Sequence, residues 1–427
     1  MTIALLFGTM FLLMFIGVPI ALSLGVASLV TMVFATNSSP SVIIQKAFSS
    51  LDSFPLMAIP FFILAGVLMS HGGISKRLLN LATVLIGFIA GGLAMVTVLA
   101  SMFFAAISGS GPATVAAIGS FMIPSMKEKK YDSGFAAAIT ASAGSIGVLI
   151  PPSIPLVMYG VVGTVSIGSM FLAGIIPGIL LGIALMVTSY ITAKKQGYQG
   201  TGEIPGFKDI LKALNEAKLA LLIPVIILGG IYGGFFSPTE SAAVASLYAL
   251  IIGVFVYKEL DWKSVYDSFS SAALTNAATV IIIGFSISFA FLMTRERIPV
   301  IIADFIVNIS DSLLIIILVI NLFLLIVGMF IDTISAIVIL TPILLPVVTP
   351  LGVDPVHFGV ILVMNLAIGF VTPPLGVNLF VATTVGKVQF EKIVKAMVPI
   401  LVAMIVALLI VIYFPPLSSG VANLFDQ

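Results

Sequence analysis

Residues 108–114 read Ser-Gly-Ser-Gly-Pro-Ala-Thr, and residues 332–335 read Asp-Thr-Ile-Ser. Each interrupts a long apolar run, 94–126 in the first case and 313–350 in the second. A helix crossing a bilayer needs about 20 consecutive apolar residues. A polar break in mid-run fits a hairpin of two half-helices whose tip stops inside the membrane. Backbone is tolerated at that depth only where protein buries it or it lines a cavity. These two stretches decide the fold class: an all-α polytopic membrane protein with re-entrant hairpins.

The second half repeats the first at a fixed distance. Pro124 pairs with Pro346, Asp132 with Asp354, Gly147 with Gly369, and Pro151-Pro152 with Pro373-Pro374, always 222 positions apart. In this register Ser110 matches Asp332 and Ile150 matches Thr372. Downstream of each hairpin lies an apolar segment broken by Pro-Pro, at 134–160 and 355–385. The chain thus divides into repeats 1–205 and 206–427. Polar, amphipathic stretches at 37–54 and 261–275 are expected to lie along the interface as arms.

Composition agrees with lipid as solvent. Of 427 residues 60% are hydrophobic and 8% charged, where soluble domains carry about a quarter. The net charge of +1 argues against a nucleic-acid partner, and the absence of Cys excludes disulfides and thiolate chemistry. His71 and His357 are the only histidines, too few for an imidazole metal site. The first apolar run is too long for a signal-peptide core and has no basic leader.

The expected spans are 3–34, 56–70, 78–93, 134–160 and 167–193, then 219–257, 276–294, 298–309, 355–385 and 396–415. Five per half is odd, so the second repeat is expected to be inverted. This count places 14 of the 18 Lys and Arg on one side, with Lys76, Arg77, Lys258 and Lys263 on the other. The rich side should be cytoplasmic and both termini periplasmic. Splitting 219–257 at Pro238 would give 11 against 7, and the sharper bias selects a single span there.

Inverted repeats whose broken helices meet at the midplane are a common way to build a secondary-transport site. Unpaired N–H groups at half-helix starts attract anions and unpaired C=O groups attract cations. Pro-Pro removes donors and frees carbonyls one turn back. Two sodium sites are expected. The first draws on Ser108, Ser110, Thr114, Gly144, Ser145 and Gly147, without fixed charge. The second draws on Asp332, Thr333, Ser335, Gly369 and Thr372, with one carboxylate. These are hard oxygens. Small residues also serve simply to let membrane helices approach, but a carboxylate in an apolar run is costly and usually functional. Gly109-Ser110-Gly111 is not a phosphate loop, since no Lys-Ser/Thr follows. Ser237-Pro238-Thr239-Glu240 reads as a capping box with Pro at the first helical position. Arg295 and Arg297 mark a turn, and Arg295 is also a candidate to reach an anion.

Ser108 to Thr114, the segment from Gly144-Ser145-Ile146-Gly147 to Pro151-Pro152, Pro238-Thr239-Glu240, and Thr372-Pro373-Pro374 with Asn378 together resemble the large membrane subunit of tripartite ATP-independent periplasmic (TRAP) transporters. The likeness runs over essentially the whole chain. It implies a non-enzymatic bacterial inner-membrane protein importing organic acids on a sodium gradient, through a transport domain that moves like an elevator against a scaffold. It implies two protein partners, a small four-helix membrane subunit and a periplasmic substrate-binding protein. Because the chain begins at its first span, the small subunit is expected to be a separate polypeptide. No cofactor beyond sodium ions is implied. Family substrates include C4-dicarboxylates and sialic acid, and overall likeness points to sialic acid. Candidate substrate contacts are Ser110, Pro112, Pro152, Ser153, Arg295, Asp332, Pro373 and Asn378. The alternative is a stand-alone sodium/dicarboxylate-type symporter needing no binding protein. A channel would need more polar spans, an intramembrane protease a second catalytic group beside Asp332, and an ATP-driven pump a nucleotide-binding domain.

Overall fold

The structure is a computed structural model, and it describes residues 2–36, 39–200, 202, 204–301 and 312–425. The described residues form helices and connecting turns, without strands.

The first half begins with α1 (Thr2–Phe15) and α2 (Ile20–Ala35), followed by α3 (Ser41–Leu51), α4 (Ala58–His71) and α5 (Ile74–Ile86). The first hairpin is α6 (Gly92–Ser108) and α7 (Gly111–Glu128); the broken segment is α8 (Ser133–Ser145) and α9 (Ile154–Val162); α10 (Ile167–Gln196) closes the half. The second half runs α11 (Phe207–Tyr232), α12 (Pro238–Ile251, prolonged by a wider turn to Val256) and α13 (Trp262–Arg295). Its hairpin is α14 (Leu313–Phe330) and α15 (Thr333–Val348), its broken segment α16 (Pro355–Gly369) and α17 (Val377–Gly386), and α18 (Phe390–Tyr413) follows.

Three expected spans need correction. Residues 3–34 are not one span: Gly17, at φ +86, and Pro19 turn the chain between α1 and α2. Only glycine adopts that φ freely, and the turn is invisible to hydropathy because its neighbours are apolar. Residues 219–257 are likewise two helices. Ser237 accepts from the Glu240 amide, and Glu240 accepts from the Ser237 amide at 2.8 Å, so a full capping box starts α12. Residues 78–93, in turn, are not a transit. They divide between α5 and α6, and α5 turns Ile74, Leu78, Leu81 and Ala82 inward while Lys76 and Asn80 stay outside. The expected span 298–309 lies mostly outside the described residues.

The corrections change the charge count. At one end of the bundle Lys127 Nζ donates to Gly386 O (2.7 Å), the Asp132 amide to Tyr198 Oη (2.8 Å), Asn80 to Glu216 (3.2 Å), and Arg77 pairs with Glu259 (2.7 Å). At the other end Tyr159 Oη donates to Pro355 O (2.6 Å), Tyr232 Oη to Gly168 O (2.9 Å) and Thr239 Oγ1 to Phe54 O (2.9 Å). Following the helices between these ends puts 15 of the 18 Lys and Arg at the first end, leaving Lys46, Arg295 and Arg297 at the second. Lys76, Arg77, Lys258 and Lys263 therefore join the rich end, while Lys46, Arg295 and Arg297 leave it.

The halves interlock reciprocally. α2 packs on α13 as α12 packs on α4; α7 packs on α17 as α15 packs on α9; α8 packs on α18 as α16 packs on α10. Each pair exchanges partners under the 222-residue register. The innermost elements are α8 and α16, buried from Gly134 to Ser145 and from His357 to Gly369. Asp132 and Asp354, equivalent residues, cap them by accepting the amides of Phe135 and His357 at 2.8 Å.

One arm differs from the other. α3 is separated from α4 by a turn holding Pro55. The 261–275 arm is instead the first part of α13, one helix of 34 residues. Proline disrupts helix continuation, and residues 264–295 contain none.

Candidate functional site

The first tip assembles from backbone and hydroxyls. α6 ends at Ser108, and Gly109, at φ +59, reverses the chain. A Cβ there would also collide with Pro152 O, 2.7 Å away. Gly109 O accepts from the Ile154 amide at 3.3 Å, which holds the tip against the Pro-Pro break. Thr114 Oγ1 donates to Ser110 O (2.8 Å) and lies 3.0 Å from Ser108 Oγ. The broken segment comes up against this tip with glycines. A Cβ on Gly147 would sit 2.7 Å from both Ser110 O and Thr114 Oγ1, and one on Gly144 would sit 3.0 Å from Gly111 O.

Asn378 completes this cluster from the other half. Its Nδ2 donates to Ala141 O (3.1 Å) and Ser145 Oγ (3.3 Å). Its Oδ1 is buried and has no hydrogen-bond partner among the described residues. A Cβ on Gly111 would lie 3.3 Å from the Asn378 amide and 3.3 Å from Gly144 O. An orphaned buried carbonyl oxygen is costly. It and Gly144 O lie beside Gly111, while Ser110 O and Thr114 Oγ1 face Gly147 of the same broken segment; these are hard oxygens of the kind that hold a small cation. The structure thus places Asn378 with Ser108, Ser110, Thr114, Gly144, Ser145 and Gly147. The equivalent position in the first half is Leu156, so no repeat pattern would have pointed to it.

The second tip is organised differently. Asp332 caps α15, its Oδ1 accepting from the amides of Ile334 (3.0 Å) and Ser335 (3.1 Å), while Ser335 Oγ donates to Oδ2. Thr333 Oγ1 is buried without a partner among the described residues. Thr372 Oγ1 donates to Ile368 O at 2.7 Å within its own segment. Gly369 meets the backbone of Gly328, one turn before the tip. No hydrogen bond among the described residues joins Asp332 or Ser335 to Thr372 or to the 368–370 backbone. α6 and α7 lie along each other, whereas α14 packs mainly on α16 and α15 on α13 and α9.

A cavity of about 590 Å³ reaches the first tip. Ser108, Ser110 and Ala113 line it there, with Ile334 from the second tip, and His71, Ser75, Ser271 and Thr275 line it toward the basic end. Its walls come from α4, α5 and α13 on one side and α6 and α7 on the other. Of the candidate substrate contacts, Ser110 lines this cavity; Pro112, Pro152, Ser153, Arg295, Asp332, Pro373 and Asn378 do not. Ser153 is buried as the N-cap of α9, donating to Val148 O and accepting from the Leu156 amide. Pro152 backs the first tip, and its peptide with Pro151 is cis, as is Pro373–Pro374. Arg295 is exposed in the last turn of α13, at the end of the bundle poor in basic residues.

One polar pair escaped the sequence reading. Asn365 Nδ2 donates to Asn321 Oδ1 between α16 and α14. Each is the single Asn of its apolar helix, and that isolation was the available signal.

Residues 7–417 match the family described as tripartite ATP-independent periplasmic transporter, DctM component. The chain is 52% identical over 98% of its length to the isethionate TRAP transporter permease protein DctMQ of Oleidesulfovibrio alaskensis, and spans 66% of that relative. It is 41% identical to the sialic acid TRAP transporter large permease protein SiaM of Vibrio cholerae, covering 97% of this chain and 96% of the relative. It is 39% identical to the C4-dicarboxylate TRAP transporter large permease protein DctM of Rhodobacter capsulatus, covering all of both. Among solved structures, the YdaH transporter of Alcanivorax borkumensis superposes with a TM-score of 0.63 at 12% identity, over 88% of this chain and 90% of that one. That likeness is one of fold. The chain belongs to the DctM family, and it is a multi-pass membrane protein.

Proposed function

We propose, from the premise of DctM-family membership, that this chain is the membrane permease of a sodium-driven importer of an organic acid. A periplasmic binding protein delivers the acid, and a small four-helix membrane subunit completes the assembly. The relatives are named for isethionate, sialic acid and C4-dicarboxylates, so the substrate is an organic anion of this kind.

The observation that carries the reading is the first tip. Ser108 and Ser110 line the head of a cavity of about 590 Å³, and behind them are buried Thr114, Gly144 and the orphaned Asn378 Oδ1. A sodium ion held among them has only dipoles as partners, so its burial costs free energy that a nearby anion offsets. The anion gains in the same way from the cation. Each therefore binds better with the other present, which is the thermodynamic content of coupling. At the second tip Asp332 supplies the fixed charge for a second cation.

Movement of the hairpins and broken segments against α2, α4, α12 and α13, in the manner of an elevator, would carry this site between the two ends. The excess of Lys and Arg makes the basic end cytoplasmic, with both termini periplasmic. The test is uptake in liposomes containing this chain and the small subunit, with the binding protein and candidate acids outside. Uptake should require both an inward sodium gradient and the binding protein. Uptake without the binding protein would instead make the chain a stand-alone symporter, and uptake indifferent to sodium would remove the ion sites.

A further inference from the structure

The arms of the two hairpins meet in different ways. In the first, α6 and α7 lie along each other. In the second, each arm is fastened to another element. α14 crosses α16 so closely that a Cβ on Gly328 would lie 3.2 Å from Gly369 Cα. Two turns earlier in α14, Asn321 Oδ1 accepts from Asn365 Nδ2 of α16. Small residues that let backbones approach, and polar pairs beside them, hold membrane helices together. α15 packs on α13 and α9 instead. The arms of the second hairpin are thereby kept apart.

A cavity of about 380 Å³ lies between them. Val319 and Phe323 of α14, Ala336 and Leu340 of α15, and Met10 and Phe11 of α1 are on its walls, and every described residue that lines it is apolar. Phe11 and Phe323 are 57% and 44% exposed, whereas Met10, Ala336 and Leu340 are buried. The cavity therefore runs from the outer surface to the inner faces of α1 and α15.

Chemistry and size together select the occupant. A water molecule would need two to four polar partners, and the lining supplies no polar side chain. The same lack excludes sodium and an organic anion. A helix is about 10–12 Å across, so a single turn already takes up roughly 400 Å³ or more, and a partner helix does not fit. Left empty, the walls would forfeit their dispersion contacts on one side. The solvent around these helices is hydrocarbon, and an acyl chain is narrow, flexible and apolar.

We propose that this cavity holds one acyl chain of a bilayer phospholipid, in the place that arm-to-arm packing takes in the first hairpin. The lining selects hydrocarbon and not a headgroup. The chain arrives from surroundings as apolar as the cavity, so the gain is one of packing and not of the hydrophobic effect. Such a site exchanges with bulk lipid and saturates.

The experiment uses the full chain in phosphatidylcholine nanodiscs doped with a phosphatidylcholine whose acyl chain ends in a photoreactive diazirine. Adducts formed on illumination are mapped by peptide mass spectrometry. They should appear on Met10, Ala336 or Leu340 and reach a plateau as the probe fraction rises. Adducts on Val402, 56% exposed on α18, should instead grow in proportion to the probe. Ala336→Phe fills the cavity and should reduce the adducts on Met10 and Leu340 severalfold, with Val402 unchanged. Ala336→Leu, a smaller intrusion, should reduce them in the same direction. Adducts confined to exposed residues, or lining adducts that never reach a plateau, would mean surface lipid only and overturn the site. Undiminished lining adducts in a folded Ala336 variant would overturn its location.

Discussion

At the first hairpin tip, two glycines of the broken segment come within contact distance of the backbone, and Asn378 crosses from the other half to join them. At the second tip the glycine contact falls a turn earlier, on Gly328, and Asp332 satisfies its own helix. Equivalent positions in one repeat thus carry different parts of the work. The first tip is a neutral cage closed by approach of another segment. The second is a charged cap that leaves Thr333 unpartnered. Duplication sets where the backbone breaks, and single differences such as Ser110 against Asp332, or Leu156 against Asn378, set which polar groups stand at each break.

The sharpest way to break this comparison is to remove the charge. Asp332→Ala should lower sodium-driven uptake about 100-fold, the scale of a lost charge-assisted partnership worth about 3 kcal/mol. Insertion and expression should persist, because the loss of one helix cap costs only about 1 kcal/mol. Retained sodium-driven uptake would mean that the second tip holds no ion.

Smaller effects are expected at the neutral cage. Gly147→Ala places a methyl against Ser110 O and Thr114 Oγ1. It should raise the sodium concentration for half-maximal uptake roughly tenfold, a loss of about 1.4 kcal/mol. Gly369→Ala should act through the Gly328 backbone instead, lowering the thermal midpoint rather than sodium affinity. If the two variants behave alike, the tips are equivalent after all.

Asn378→Ala removes the orphaned oxygen together with its donor bonds to Ala141 and Ser145. A rise of about fivefold in half-saturating sodium, about 1 kcal/mol, is expected from transport measured over a sodium series. Unchanged sodium dependence would separate Asn378 from the cation and return it to a packing role.

Topology can be read without disturbing either site, since the chain has no native cysteine. Single cysteines at Lys129 and Lys263 should both resist an impermeant thiol reagent in intact cells, while one at Arg297 should react. Reaction at Lys263 with protection at Lys129 would restore the charge count read from hydropathy alone.

Much of this architecture is legible in sequence because the Gly and Pro positions that break a membrane helix recur at a constant interval. The helix start at Ser237 was equally readable from its capping box, whereas Asp132 and Asp354 were read only as a repeated pair and the structure shows them to be helix caps. The Gly17 turn was not, because hydropathy averages across an apolar hairpin. Nor was α5, whose length mimics a transit although its polar face holds Lys76 and Asn80. Asn378 could be noticed but not placed: its partners Ala141 and Ser145 come from the opposite repeat, and no local pattern encodes a contact across that distance.

The unbroken length of α13 has a consequence for how the molecule feels its membrane. At 1.5 Å per residue its 34 residues extend about 51 Å, well beyond a hydrocarbon thickness near 30 Å. The excess, carrying exposed Trp262, Tyr266 and Phe269, belongs to the same rod as the segment packed against α2 and α15. At the opposite leaflet the corresponding arm joins through the Pro55 turn. A change in lipid thickness or lateral pressure near the basic end would tilt the whole rod and reach the second hairpin directly. The other arm, α3, meets the same rod from the side, through packing and the Ser288 Oγ bond to Ile43 O, so the two arms load one helix in different ways, one along its axis and one across it.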